Sequence, residues 1–185
     1  MKFTIVLGLA LAVMAQEHRY SSHPPAPAGK PKGGMRVKNA IEFTPDGDFL
    51  RKAAMDNEFV VEFCVWARAH GESGDVRMAA SDLILLEFKL GDDLRKLAGR
   101  KHVVLPEKVN DRDAVERSRI DSLHAADTDH SFVEQLLRQY DQEMVRFQAE
   151  AQSGSDPEIR SFASDGVGIL QKHRRLVEAV QDKVR

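Results

Sequence analysis

The stretch "GESGDVRMAASDLILLEFKLGDDLRKLAG", Gly71–Gly99, decides the fold. It opens on a tight glycine-flanked turn, and apolar residues then recur every three or four positions up to Gly99. Val76, Ala79, Leu83, Leu86, Leu90, Leu94 and Leu97 share one face of a helix turning about 100° per residue. Asp75 is placed to cap this helix and Gly99 to close it just after Ala98. One acid interrupts the stripe. Glu87 lies beside its centre, between Leu83 and Leu94, and a glutamate is rarely buried without a partner.

Working outward, a first helix over about Asp46–His70 runs into the same turn. A third, capped by Thr128, extends to about Gln152 before Gly154. The fourth starts on Asp156 as N-cap with Pro157 at the first helical position, a strong start signal, and continues almost to the C-terminus. Between helices two and three, Pro106 breaks a loop and a shorter helix covers roughly Asp111–Ala126. Nothing reads as a core strand, and no repeat of fixed period is expected. The pattern predicts an all-α, antiparallel, ferritin-like four-helix bundle with a short extra helix between helices two and three.

Composition narrows the setting. The 185 residues carry a formal charge of −2, which leaves no basic footprint for nucleic acid. The cations of "QKHRRLVEAVQDKVR" are read as a solvated helix face near a C-terminus, where the helix dipole favours them. Lys2 followed by the apolar run Phe3–Met14 reads as a secretory signal, residues 1–15, cut after Ala15. The run is too short to span a bilayer, for which about 20 residues are needed, so the mature chain is not expected to be transmembrane. Residues 16–45, rich in proline and glycine, read as a disordered tether, leaving 46–185 as the bundle. Cys64 is the single cysteine; no intrachain disulfide can form, and its apolar surroundings mark it as a small buried hydrophobe.

Depth along the bundle then singles out a set of residues. Tyr140 sits near the middle of the helix-three stripe of Phe132, Leu136, Leu137, Met144 and Phe147. His173 sits among Ile159, Phe162, Ile169, Val177 and Val180 on helix four. On helix one, Val60 holds the corresponding place in the stripe of Phe49, Ala53, Cys64 and Ala67. Counted from the turns at 1.5 Å per residue, all four lie roughly 20 Å from the turn end. Spacing therefore predicts one mid-bundle layer holding Glu87, Tyr140 and His173. A carboxylate accepting from a phenol and an imidazole satisfies all three.

The motifs "DFLRKAA", "VRMAASDLILLE", "DTDHSFVEQLLRQY", "GSDPEIRSFA" and "ILQKHRRLVEAV" make the chain resemble a widespread bacterial family. Its members are exported, ferritin-like four-helix proteins of unknown function, often labelled outer-membrane proteins. The resemblance covers nearly everything from Asp46 to Val180. It implies a glutamate on helix one and a histidine on each other helix, a donor set that suits a transition metal. Val60, Glu87 and Tyr140 depart from that pattern, and only His173 keeps it. The Glu-x-x-His pairs of di-iron proteins are missing as well.

The expectation is thus an exported, periplasmic or envelope-associated bundle acting as a non-catalytic binding or structural module, with no catalytic residues and no resident cofactor. The competing reading is a single transition metal held by Glu87 and His173, with water or Tyr140. Leu85, Phe88, Val61, Val65 and Trp66 lie off the core stripes. Cover by the short helix or the tether is one explanation; a homodimer, or an interface with another protein or envelope component, is the other.

Overall fold

The computed structural model describes residues 41–106 and 125–184. A single 3₁₀ turn, Ile41–Phe43, leads into four helices: α1, Pro45–His70; α2, Gly74–Lys101; α3, Ala125–Ser153; and α4, Pro157–Gln181. Among the described residues there is no strand. The signal, the tether up to residue 40 and most of the short helix at Asp111–Ala126 lie outside the described residues.

Local chemistry explains the boundaries, and corrects three of them. Thr44 caps α1 by accepting from the Gly47 amide at 3.3 Å, with Pro45 at the first turn. Ser73 caps α2, not Asp75: its hydroxyl accepts from the Asp75 amide at 3.1 Å. Asp75 instead sits in the first turn, where a carboxylate complements the helix dipole. Gly99 does not end α2, which runs on to Lys101 and closes on His102, left-handed at φ 56° and ψ 35°. The extension is held from outside the helix, because the Lys101 ammonium lies 2.8 Å from both Asp156 and Glu158. Thr128 falls inside α3 and does not cap it. On α4 the Asp156–Pro157 start is as expected, Asp156 accepting from Glu158 and Ile159 at 2.9 and 3.1 Å.

Two buried aspartates reveal the topology. Asp46, at the start of α1, accepts from the amides of Ser155 and Asp156 at 3.0 and 2.6 Å. Asp129, near the start of α3, accepts from the amides of Glu72 and Ser73 at 3.0 and 2.6 Å. Helix α1 therefore begins beside the α3–α4 turn, and α3 begins beside the α1–α2 turn. The two turns sit at opposite ends of the bundle and the helices run up, down, down, up, the ferritin-like arrangement with one long crossover. With 28 residues, α2 is about 40 Å long. A depth of roughly 20 Å is the middle of the bundle counted from either end, so the depth argument holds although the turns do not share an end.

This geometry also exposes a repeat that was not expected. The hairpins α1–α2 and α3–α4 correspond at an offset of 83 residues: Asp46 with Asp129, Phe49 with Phe132, Gly71 with Gly154, Arg77 with Arg160, and Ala80-Ser81-Asp82 with Ala163-Ser164-Asp165. Their roles correspond too. Arg77 donates to the carbonyls of Gly71 and Glu72 at 2.7 and 2.8 Å, and Arg160 to those of Gly154 and Ser155 at 2.8 and 3.1 Å. Arg100 pairs with Glu158 at 2.6 Å and Lys183 with Asp75 at 3.0 Å. So few identities over so long an offset leave no periodicity to see in one chain.

The core takes in the expected stripes, with Val60, Cys64, Leu83, Leu136 and Ile159 fully buried, and adds Leu50, Phe63 and Leu170, which the stripes did not include. Gly166 belongs to it for lack of a side chain: a Cβ there would lie 2.4 Å from the Phe147 ring. Leu85 is 70% exposed and Phe88 53%, while Val61 is buried at 8%.

Two predictions follow from the bundle ends. Asp46→Ala and Asp129→Ala each strip two turn amides of their acceptor, costing about 1–3 kcal/mol apiece. Thermal melts should show similar drops for both, and a drop at one turn only would break the equivalence of the hairpins. Glu150, buried beside Asp46, has its carboxyl pushed from 4.5 up to about 7, first by burial and then by the Asp46 charge. The fold favours its neutral form, so the associated stability is full below pH 4.5 and is lost as pH rises through about 7. Glu150→Gln should flatten that loss, read as a smaller fall in Tm between pH 5 and pH 8.

Candidate functional site

Glu87 is completely buried in the middle of α2, and an uncompensated carboxylate there would be strongly destabilising. Three donors meet it, one from each of the other helices. The Tyr140 hydroxyl donates to Oε1 at 2.8 Å. His173 Nδ1 lies 2.7 Å from the same oxygen. Asn57 Nδ2 donates to Oε2 at 2.7 Å and to the Glu87 backbone carbonyl at 2.9 Å. The expected layer of Glu87, Tyr140 and His173 is brought together, and the rings of the last two meet edge to face with centroids 6.0 Å apart.

Helix one contributes Asn57, not Val60. Val60 is fully buried but lies about one helical turn nearer Gly71. The signal for Asn57 was present in the spacing: it stands fourteen residues before Gly71, and Glu87 fourteen after Ser73. Gly91 makes room for it, since a Cβ at that position would sit 2.3 Å from the Asn57 amide oxygen.

The repeat clarifies the chemistry. Asn57 and Tyr140 occupy equivalent positions, and both donate to Glu87. The equivalent of Glu87 is Leu170, and that of His173 is Leu90. Where di-iron bundles carry a glutamate on two helices and Glu-x-x-His on the other two, this layer has Asn57, Tyr140, Glu87-x-x-Leu90 and Leu170-x-x-His173. Each of the two spacings carries one of the two residue types, and Glu87 and His173 face each other across the hairpins.

Electrostatics reinforce the closed character of the layer. Burial, then the charge of Glu87, pushes the Tyr140 hydroxyl well above its ordinary range, so it stays protonated and donates. The same two causes raise the Cys64 thiol, which is therefore no nucleophile. Glu143, also buried, is raised by burial and by the charges of Glu87 and Asp56, against donation from Gln139 at 2.9 Å. Sequence reasoning missed Glu143: as the repeat-mate of Val60 it occupies an inward position that only the tertiary structure identifies. Among the described residues no group of three His, Cys, Asp or Glu is placed to hold a metal ion.

A family model described as "Domain of unknown function (DUF4142)" matches residues 35–180. No curated protein matches the chain. Among solved structures, the crystal structure of a DUF305 fragment from Deinococcus radiodurans is similar, with a TM-score of 0.66 at 15% identity, covering 76% of this chain and 97% of that one. At that identity the likeness concerns the fold, which it supports over nearly the whole of the other chain.

Gly91 and Asn57 provide a test of the layer's packing. In the native protein Gly91→Ala should destabilise, because the new methyl displaces the Asn57 amide from Glu87. In an Asn57→Ala background the same change should stabilise, by up to about 1 kcal/mol of helix propensity. Chemical denaturation of the four proteins reads the sign reversal directly.

Proposed function

The chain belongs to the DUF4142 family of domains of unknown function, and from that premise we propose that it is an exported cell-envelope bundle acting as a non-catalytic binding or structural module. The observation that carries this reading is the saturation of Glu87 by three donors. Such a layer is a polar clasp: it specifies which residues of four helices face one another, and holds no group poised for chemistry. Export is supported by Lys2 and the apolar run Phe3–Met14, read as a signal over residues 1–15 with a tether behind it. No helix among the described residues is long and apolar enough to cross a membrane. Leu85 and Phe88 on α2 and Val65 on α1 are exposed apolar residues that a second copy or an envelope component would contact.

The donor set does not fit a mononuclear transition metal at Glu87, Tyr140 and His173. Both Glu87 oxygens already accept hydrogen bonds, the Tyr140 phenol holds its proton, and His173 turns Nδ1 to the carboxylate. A cation on Oε1 would have to displace the Tyr140 and His173 donors. Metal analysis after incubation with zinc, copper, iron or nickel tests this, and the expected content is well below one equivalent. A stoichiometric metal lost on Glu87→Gln or His173→Ala would overturn the clasp. Independently, Glu87→Leu should cost about 3–5 kcal/mol, because it leaves a buried polar network without its acceptor.

A further inference from the structure

His173 uses only one of its two ring nitrogens within the protein. Nδ1 faces Glu87, while Nε2 has no protein partner among the described residues, although the residue is only 2% exposed. The ring also lines a cleft of about 190 Å³ between α2 and α4. Leu86, Leu90 and Ile169 supply its apolar walls, and Lys89, Lys172 and Asp93 stand around it. The cleft is smaller than the roughly 300–1,000 Å³ of drug-sized sites, so it suits a ligand of a few heavy atoms.

We propose that this cleft binds a small monocarboxylate with a short apolar tail, its anionic head at His173 Nε2 between the ammonium groups of Lys89 and Lys172. The chemistry follows from the proton inventory. Because Nδ1–H is committed to the Glu87 carboxylate, Nε2 carries a proton only in the imidazolium form. A carboxylate that binds with uptake of one proton from solvent places this imidazolium between itself and Glu87. Around the cleft Lys89 and Lys172 are positive and Asp93 negative, and one added negative charge brings these groups to neutrality. A ligand of the same shape with a positive head would meet the ammonium groups of Lys89 and Lys172. The tail would lie on Leu86, Leu90 and Ile169, the surface a purely polar anion could not use.

This assignment deepens the binding-module reading and rests on it, but it is tested separately from the clasp, whose readouts are metal content and the effects of Glu87 substitutions. The probe is butyrate, with butyramide and butylammonium as controls, titrated into the full chain while the His173 ring carbon–proton signal is followed by NMR. Butyrate should give a saturable shift, and the controls none. Lys89→Gln combined with Lys172→Gln, both on exposed positions, should weaken butyrate at least tenfold without altering the melting transition. The proposal is overturned if butyrate produces no saturable shift, if butyramide binds as tightly, or if the double variant binds butyrate unchanged.

Discussion

A carboxylate taken out of water must be met by donors or it unfolds what surrounds it, and Glu87 imposes that demand at the centre of this bundle. Asn57, Tyr140 and His173 answer it from the three other helices. An apolar stripe can slide by a turn at modest cost, since one leucine replaces another. A layer in which one acid must find three donors cannot. The polar layer therefore sets the helical register that the rest of the core is packed to, and the absent side chain at Gly91 exists to let Asn57 reach its place.

The same device recurs at the ends. Asp46 and Asp129 each receive two amides from the turn of the opposite hairpin, so each hairpin closes the other. Arg77 and Arg160 then fold back onto the carbonyls of their own turns. The two halves are alike in their turns and unlike in their centre. Glu87 in one half and His173 in the other stand where their counterparts are leucines, and the pairing of unlike residues across the repeat is what makes the layer self-sufficient. His173, which completes the layer, also lines the α2–α4 cleft.

Much of this was legible in the chain itself. The stripes, the Gly-flanked turns and the Asp156–Pro157 start depend on contacts within a few residues, and they appear where expected. The layer of Glu87, Tyr140 and His173 was legible because helix rise is constant and a central position is central from either end. What differs from expectation has both distant and local causes. The last turn of α2 persists past Gly99 because Lys101 is held by Asp156 and Glu158. Ser73 displaces Asp75 as cap, a choice between two capable residues that pattern alone does not rank. Val60 was taken for Asn57 because three residues of error along a helix is nearly a full turn, which returns to almost the same face.

By itself the sequence determined the class of fold, the number of long helices and the faces they bury, because helical periodicity and punctuation are local. It also singled out the buried acid and two of its three partners. Tertiary structure alone decided the order of the helices, the repeat of 83 residues, the part played by Asn57, and the placement of His173 both in the core layer and at the wall of a cleft. Those features are set by which groups meet across the bundle. A single chain records the residues that meet, but the meeting itself is fixed only when the helices pack.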